Sequence, residues 1–165
     1  MQQDWDDVSL NSVNRDARSS HSVLSLADGL AVSTSDAVLL IGRIMLGWIY
    51  LSSGFPKLFA IAHVAATYPP RGLAPWLVWI AVPAEFFGGL FVVLGFATRY
   101  VAVVMVVFTI VASFSSHAYW DVTDAALRRA QDTNFWKNMS MIGGFLIYFV
   151  AGPGRWSVDR WLARR

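Results

Sequence analysis

WLVWIAVPAEFFGGLFVVLGFA, residues 76–97, is an apolar run that carries one carboxylate, Glu85, near its middle. Three further apolar runs occupy residues 37–61, 101–116 and 135–151. Hydrocarbon about 30 Å thick needs roughly 17 to 25 residues of helix to cross it. We therefore predict four membrane-spanning helices over approximately these ranges.

The composition agrees with a membrane protein. Apolar residues make up 56% of the chain and the mean hydropathy is +0.48, whereas soluble domains are typically about 45 to 50% apolar. A buried soluble core would explain one such run but not four. The predicted fold class is all-α, an integral membrane four-helix bundle in a lipid bilayer. The expected location is the cell membrane, and the bacterial cytoplasmic membrane in particular.

Charge and cysteine content exclude several classes of function. The formal charge is only +2, and the basic residues do not alternate with exposed aromatic residues as a nucleic-acid surface requires. We therefore predict no nucleic-acid partner. Because the chain has no cysteine, disulfides, thiol exchange, thiolate-ligated zinc and cysteine-held iron–sulfur clusters are excluded for this chain by itself. No metal site is predicted.

The chain divides into two regions. Residues 1–35 are rich in serine and mixed charge, and they lack the basic start and apolar core of a secretory signal. Low hydrophobicity of this kind predicts a flexible polar amino-terminal arm. Residues 36–162 are predicted to form the four-helix transmembrane domain.

The basic residues predict the orientation of this bundle. An even number of crossings places both ends of the chain on one side, and basic residues collect on the cytoplasmic side of a membrane. Both termini are therefore predicted to be cytoplasmic. The arginines on that side are Arg15, Arg18, Arg99, Arg155, Arg160, Arg164 and Arg165, against Arg71, Arg128 and Arg129 in the other two loops.

Two ionisable residues are predicted to lie deep in the membrane. An ionisable group at that depth is costly unless it is paired or lines a cavity. At 1.5 Å per helical residue, Arg43 enters from the inner side by about two turns and Glu85 from the outer side by two to three turns. We therefore predict that Arg43 and Glu85 form a buried ion pair.

Other polar residues are predicted to converge near the outer end of the bundle. Lys57 ends the first helix, His117 ends the third, and the fourth begins with polar residues. Lysines so close to helix ends could equally extend to the lipid headgroups. His117 could relay protons, bind a metal or haem, or donate a hydrogen bond at the interface, although no second histidine faces it at a matching depth. The polar residues of the fourth helix are Asn134, Lys137 and Asn138.

In this order, these residues resemble the DoxX family of small four-helix membrane proteins. The resemblance covers about residues 37–161 and leaves the amino-terminal arm outside. It implies a membrane subunit associated with thiosulfate oxidation coupled to quinone, or a membrane anchor in an oxidoreductase or oxidative-stress assembly. The residues that carry it are Arg43, Gly47, Gly54 and Lys57, the segment from Pro83 to Leu90, Gly95, Thr98, Arg99, His117, the segment from Asn134 to Asn138, and Gly152, Pro153, Gly154, Arg155, Ser157 and Asp159.

The first functional hypothesis is a membrane subunit of a redox assembly that binds quinone at the outer end of the bundle. A quinone headgroup needs hydrogen-bond donors beside apolar walls. Glu85 and His117 are assigned as the catalytic, proton-carrying groups. The residues assigned to hold the quinone are Arg43, Lys57, Trp120, Lys137 and Asn138. The chain would then be at most one subunit of a quinone-linked enzyme, with a soluble or membrane oxidoreductase as its partner, and homo-oligomerisation stays open.

Two alternatives remain. In one, the chain is a non-catalytic anchor or assembly factor, and the charged residues only lock the helices together. In the other it is a small transporter, which the intramembrane charges favour. Four helices make a narrow bundle, however, and no inverted repeat relates the two halves of the sequence.

Overall fold

A computed structural model of the chain describes the backbone of residues 3–67 and 74–165 and the side chains of residues 25–66 and 74–165. All regular structure over these residues is helical, which confirms the predicted all-α class. The helices are α1 (Gln3–Phe59), α2 (Ile61–Thr67), α3 (Val78–Leu94), α4 (Thr98–Ser116), α5 (Ala125–Ala151) and α6 (Val158–Leu162), with short 3-10 turns at Pro75–Leu77 and Tyr119–Asp121.

The chain divides into two compact units, Met1–Val38 and Leu39–Arg165. The predicted flexible arm, residues 1–35, falls in the first unit. Its first two residues and the side chains of residues 1–24 lie outside the described residues, and its backbone is helical from Gln3 onward. The mobility of the arm stays a prediction. The rest of the fold is described within the second unit.

Three described helical segments are long and apolar enough to cross a membrane: Ser25–Phe59, Pro75–Leu94 and Thr98–Asp121. They correspond to the first three predicted spans. The predicted integral membrane class is therefore confirmed, whereas the cytoplasmic placement of both termini stays a prediction.

The fourth helix is longer than the sequence indicates. α5 has 27 residues, so it extends for about 40 Å, and it begins at Ala125 rather than near residue 135. Asp124 precedes it, and its Oδ1 accepts a hydrogen bond from the amide of Leu127 at 2.8 Å. This contact satisfies one of the free amides at the start of the helix. Because residues 125–134 contain neither proline nor glycine, the polar turns continue directly into the apolar part.

The core of the second unit draws on all four long helices. Tyr50 of α1, Val92 of α3, Met105 of α4 and Phe145 of α5 are all buried in one apolar cluster. Because each helix gives one face to this cluster, their opposite faces carry the exposed apolar side chains that lipid would cover.

Glycine allows α1 and α3 to pack with their backbones close together. A Cβ atom placed on Gly47 would lie 2.6 Å from the carbonyl oxygen of Gly89, and one on Gly89 would lie 2.8 Å from the carbonyl oxygen of Gly47. Close packing of this kind is how helices associate in lipid, where apolar surface alone provides no driving force. The approach brings the polar residues of α1 and α3 within reach of each other.

Candidate functional site

A cavity of about 420 Å³ lies between α1, α3, α4 and α5 at the end of the bundle next to α2. Its volume is within the range of small-molecule sites, roughly 300 to 1,000 Å³. Apolar side chains such as Val82 and Met141 form much of its wall. Its polar lining comes from every surrounding long helix and comprises Tyr50, Ser53, Lys57, Glu85, Thr109, Ser115, Ser116, His117, Asn134, Lys137 and Asn138.

An ion pair between α1 and α3 lies in the wall of this cavity. The Nζ atom of Lys57 is 2.8 Å from Oε2 and 2.9 Å from Oε1 of Glu85. The same Nζ donates a hydrogen bond to Oγ of Ser53 at 2.9 Å, one helical turn earlier in α1. Glu85 is only 9% exposed, and a buried carboxylate stays ionised only where a partner compensates its lost hydration. Lys57 is that partner.

The predicted pairing of Arg43 with Glu85 is therefore wrong. Arg43 precedes Lys57 by 14 residues, which is about 21 Å along α1. Arg43 is buried at the opposite end of the bundle, where its Nη2 donates to the carbonyl oxygen of Trp156. Residue depth along each helix puts both charges near mid-membrane but does not determine which turn of α1 faces Glu85. Arg43 consequently does not line the cavity, and its assignment as a quinone ligand loses its geometric basis.

His117 lines the cavity where α4 ends. Its Nδ1 lies 2.7 Å from Oε1 of Gln131 in α5. With the carboxamide oxygen as acceptor, Nδ1 carries the proton, so Nε2 of a neutral ring is the acceptor. Gln131 thus orients the ring, and sequence reasoning did not single it out.

The polar residues of α5 reach the same cavity from the other side. Lys137 donates from Nζ to Oδ1 of Asn134 at 2.9 Å, and both residues belong to the lining. Asn138 is buried and also lines the cavity. The predicted convergence of Lys57, Glu85, His117 and these residues on one cavity is therefore observed, although their functional roles stay predictions.

Trp120 occupies a different place from the one assigned to it. Its ring is 5.9 Å from that of Phe114 and 5.6 Å from that of Phe135, centroid to centroid. It belongs to an aromatic cluster beside the end of α4, and it does not line the cavity. Aromatic clusters of this kind are expected at a membrane interface.

Sequence reasoning missed the hydroxyl groups deeper in the cavity. The hydroxyl oxygen of Tyr50 lies 2.7 Å from Oγ1 of Thr109. The hydroxyl of Thr109 donates to the carbonyl oxygen of Met105 at 2.6 Å. One signal was present, because Tyr50, Ser53 and Lys57 recur at helical spacing and so share a face of α1. Without that pattern, isolated serines and threonines in an apolar helix are expected only to hydrogen-bond the backbone of their own helix.

An apolar layer closes the inner end of the cavity. Val92, Ala102, Met105 and Phe145 have no exposed surface, and each lies about one or two turns beyond a cavity-lining residue of its own helix. The next polar side chains lie beyond this layer, where the hydroxyls of Thr98 and Tyr148 form a hydrogen bond of 3.3 Å. Within the described residues, the cavity thus ends inside the bundle.

These features define a class of protein, a helical membrane bundle with a polar cavity at one end and a buried ion pair in the cavity wall. The chain belongs to the DoxX family, whose profile matches residues 38–118. It is accordingly an integral protein of the cell membrane.

Two relatives cover most of the chain. Inner membrane protein YphA of Escherichia coli is 36% identical over 127 residues, which are 74% of this chain and 89% of that protein. Inner membrane protein YqjF of the same organism is 29% identical over 133 residues, 79% of this chain and 95% of that protein. A Surfeit locus protein 4 homolog of Schizosaccharomyces pombe is 35% identical over 69 residues, 41% of this chain and 23% of that protein. No solved structure matches the chain.

Proposed function

We propose that the cavity binds the headgroup of a quinone, or of a molecule with the same combination of a polar ring and an apolar tail, and that the chain is a membrane subunit of a redox assembly. The observation that carries this proposal is the Lys57–Glu85 ion pair, which lies in the wall of a cavity of about 420 Å³ with mixed apolar and polar lining. A ligand at such a site meets apolar walls, hydrogen-bond donors and a proton acceptor together.

Two side chains of the cavity lining are the candidates to act on the carbonyl oxygens of a quinone ring. The side chains of Lys57 and of Asn138 line the cavity from two different helices, α1 and α5. The carboxamide of Asn138 can donate to a carbonyl, whereas the three N–H groups of Lys57 already serve Ser53 and Glu85, so Lys57 acts on the ring through its charge. In this role Lys57 and Asn138 polarise the carbonyls, and Glu85 and His117 accept or release protons.

The closed inner end favours binding over transport. A transporter of polar solutes needs polar surface toward both faces, whereas the buried layer around Met105 and Phe145 separates the cavity from the other end of the bundle. An anchor or assembly role is the alternative, because the ion pair is complete without any ligand.

The test is binding of a short-chain quinone to the full-length protein in lipid nanodiscs, measured by quenching of tryptophan fluorescence. Asn138→Leu fills the cavity from α5 and should weaken binding at least tenfold. Ser140→Leu makes a matched change on an exposed position of the same helix, and it should leave binding unchanged. Equal affinities for the two variants and the wild type would contradict the proposal and favour the anchor role.

A further inference from the structure

The C-terminal residues 154–165 are attached to the turn between α3 and α4. The amide of Asp159 donates to the carbonyl oxygen of Gly95 at 3.0 Å. In return, the Asp159 carboxylate accepts hydrogen bonds from the amides of Ala97 at 2.6 Å and Thr98 at 2.8 Å. With Arg43 holding the carbonyl of Trp156, these contacts fix the segment at the end of the bundle opposite the cavity.

The turn between α3 and α4 and the C-terminal segment together carry more arginines than carboxylates. Asp159 is the single side-chain carboxylate in residues 95–101 and 152–165, and both of its oxygens serve the start of α4. At the other end, by contrast, Asp124 and Asp132 lie in the same polar segment as Arg128 and Arg129. Four exposed arginines of these two segments form what we term the arginine patch: Arg99, Arg160, Arg164 and Arg165.

Exposed apolar side chains lie among these arginines. Trp156 is 59% exposed, Trp161 53% and Leu162 46%. The guanidinium of Arg165 lies over the ring of Trp161, 3.9 Å from its centroid. Indole rings prefer the headgroup level of a bilayer. A segment that carries both tryptophan and arginine is therefore suited to lie where phosphate groups meet the hydrocarbon.

We propose that the arginine patch binds the phosphodiester headgroups of anionic phospholipids. Guanidinium groups present paired N–H donors that match phosphate oxygens. Within residues 95–101 and 152–165 the one side-chain carboxylate, that of Asp159, is already engaged by the amides of Ala97 and Thr98. The proposal is independent of the quinone hypothesis, because the patch and the cavity lie at opposite ends of the bundle.

The test uses the full-length protein in neutral detergent, titrated with phosphatidylglycerol or with phosphatidylcholine of the same chain length and examined by native mass spectrometry. The wild type should retain phosphatidylglycerol at least tenfold more strongly than phosphatidylcholine. Because each basic residue near an anionic headgroup contributes about fivefold in affinity, the R160Q/R164Q variant should lose most of this preference. The matched control, R128Q/R129Q, removes two exposed arginines at the other end and should keep it.

Equal retention of the two lipids by the wild type would overturn the proposal without any variant. So would an equal loss in both double variants, since that would reflect net charge rather than the patch. Retained preference in R160Q/R164Q would also contradict it and would make this surface a candidate for docking an acidic protein. Thermal melting of all three proteins verifies that the variants fold.

Discussion

The ammonium of Lys57 lies 2.8 Å from Oε2 of Glu85 and joins α1 to α3 at the wall of the cavity. The side chain of Lys57 is 38% exposed and that of Glu85 is 11% exposed. The carboxylate is thus the more buried partner, and it depends on the pair more than the ammonium does. Removing the charge of Lys57 should therefore have different consequences from removing the charge of Glu85.

We expect Lys57→Met to destabilise the protein more than Glu85→Gln does, because Lys57→Met leaves an ionised carboxylate buried without a partner. Removing one partner of a fully buried pair costs about 3 to 5 kcal/mol. Since Lys57 is more than a third exposed, solvent screening reduces the expected cost to about 1 to 3 kcal/mol. The double variant Lys57→Met/Glu85→Gln should recover much of the loss. Thermal unfolding of the four proteins in detergent measures the coupling, and additive losses would show that the two charges act separately.

The Lys57–Glu85 pair marks where sequence patterns stop predicting the structure. The structure agrees with the first three predicted spans and with the convergence of Lys57, Glu85 and His117 on one cavity. Apolar runs and the positions of charges within them can be read directly from the sequence. It did not predict the partner of Glu85. Both Arg43 and Lys57 lie in the first apolar run, and the choice between them depends on how far α1 is shifted along α3. Tertiary contacts between Gly47 and Gly89 fix that shift, and no local sequence signal encodes it.

The place of Arg43 also depends on a feature outside its own helix. Its donor role toward Trp156 requires that residues 154–165 return to the turn after α3. That return follows from Gly152 and Gly154 with positive φ and from the hydrogen bonds of Asp159. The sequence indicated a helix stop at Gly152 but not where the following segment docks. Long-range docking of this kind depends on side-chain contacts that periodicity does not reveal.

Gly95→Ala should destabilise the protein by about 2 kcal/mol or more. Gly95 has φ of 64°, a left-handed conformation that costs an L residue about 1 kcal/mol. A Cβ atom at this position would also overlap Nη1 of Arg43. Gly143→Ala is the matched control, because a Cβ there meets nothing within 4 Å and the position is helical. Thermal unfolding should show a loss for the first variant and no loss for the second, and equal melting temperatures would refute the packing around Arg43.

Acid should loosen the C-terminal segment by protonating Asp159. Burial alone would raise the pKa of this carboxyl, but hydrogen bonds from Thr98 and Ala97 and the charge of Arg43 outweigh it and hold the pKa below the ordinary 3.8. A depressed pKa in the folded state means that the contribution to stability is present above pH about 3.8 and is lost as the pH falls through the lower folded value.

The measurement for Asp159 is the melting temperature in detergent between pH 2.5 and 6. The wild type should lose stability below pH about 4, whereas Asp159→Asn should be less stable at pH 6 and less dependent on pH. Ser157→Ala removes a neighbouring side chain without a titratable group and should keep the wild-type profile. A wild-type profile in Asp159→Asn would show that other carboxyls cause the acid loss.

Gly89→Ala should separate α1 from α3 and weaken the site through its geometry. The added methyl group would lie 2.8 Å from the carbonyl oxygen of Gly47 and 2.9 Å from Cβ of Tyr50, so backbone and not only a flexible side chain must move. Overpacking of this kind typically costs about 1 to 3 kcal/mol. Gly42→Ala is the control on α1, since a Cβ there meets nothing within 4 Å. If thermal unfolding and quinone binding are both unchanged in Gly89→Ala, the close approach of these helices does not position Lys57 against Glu85.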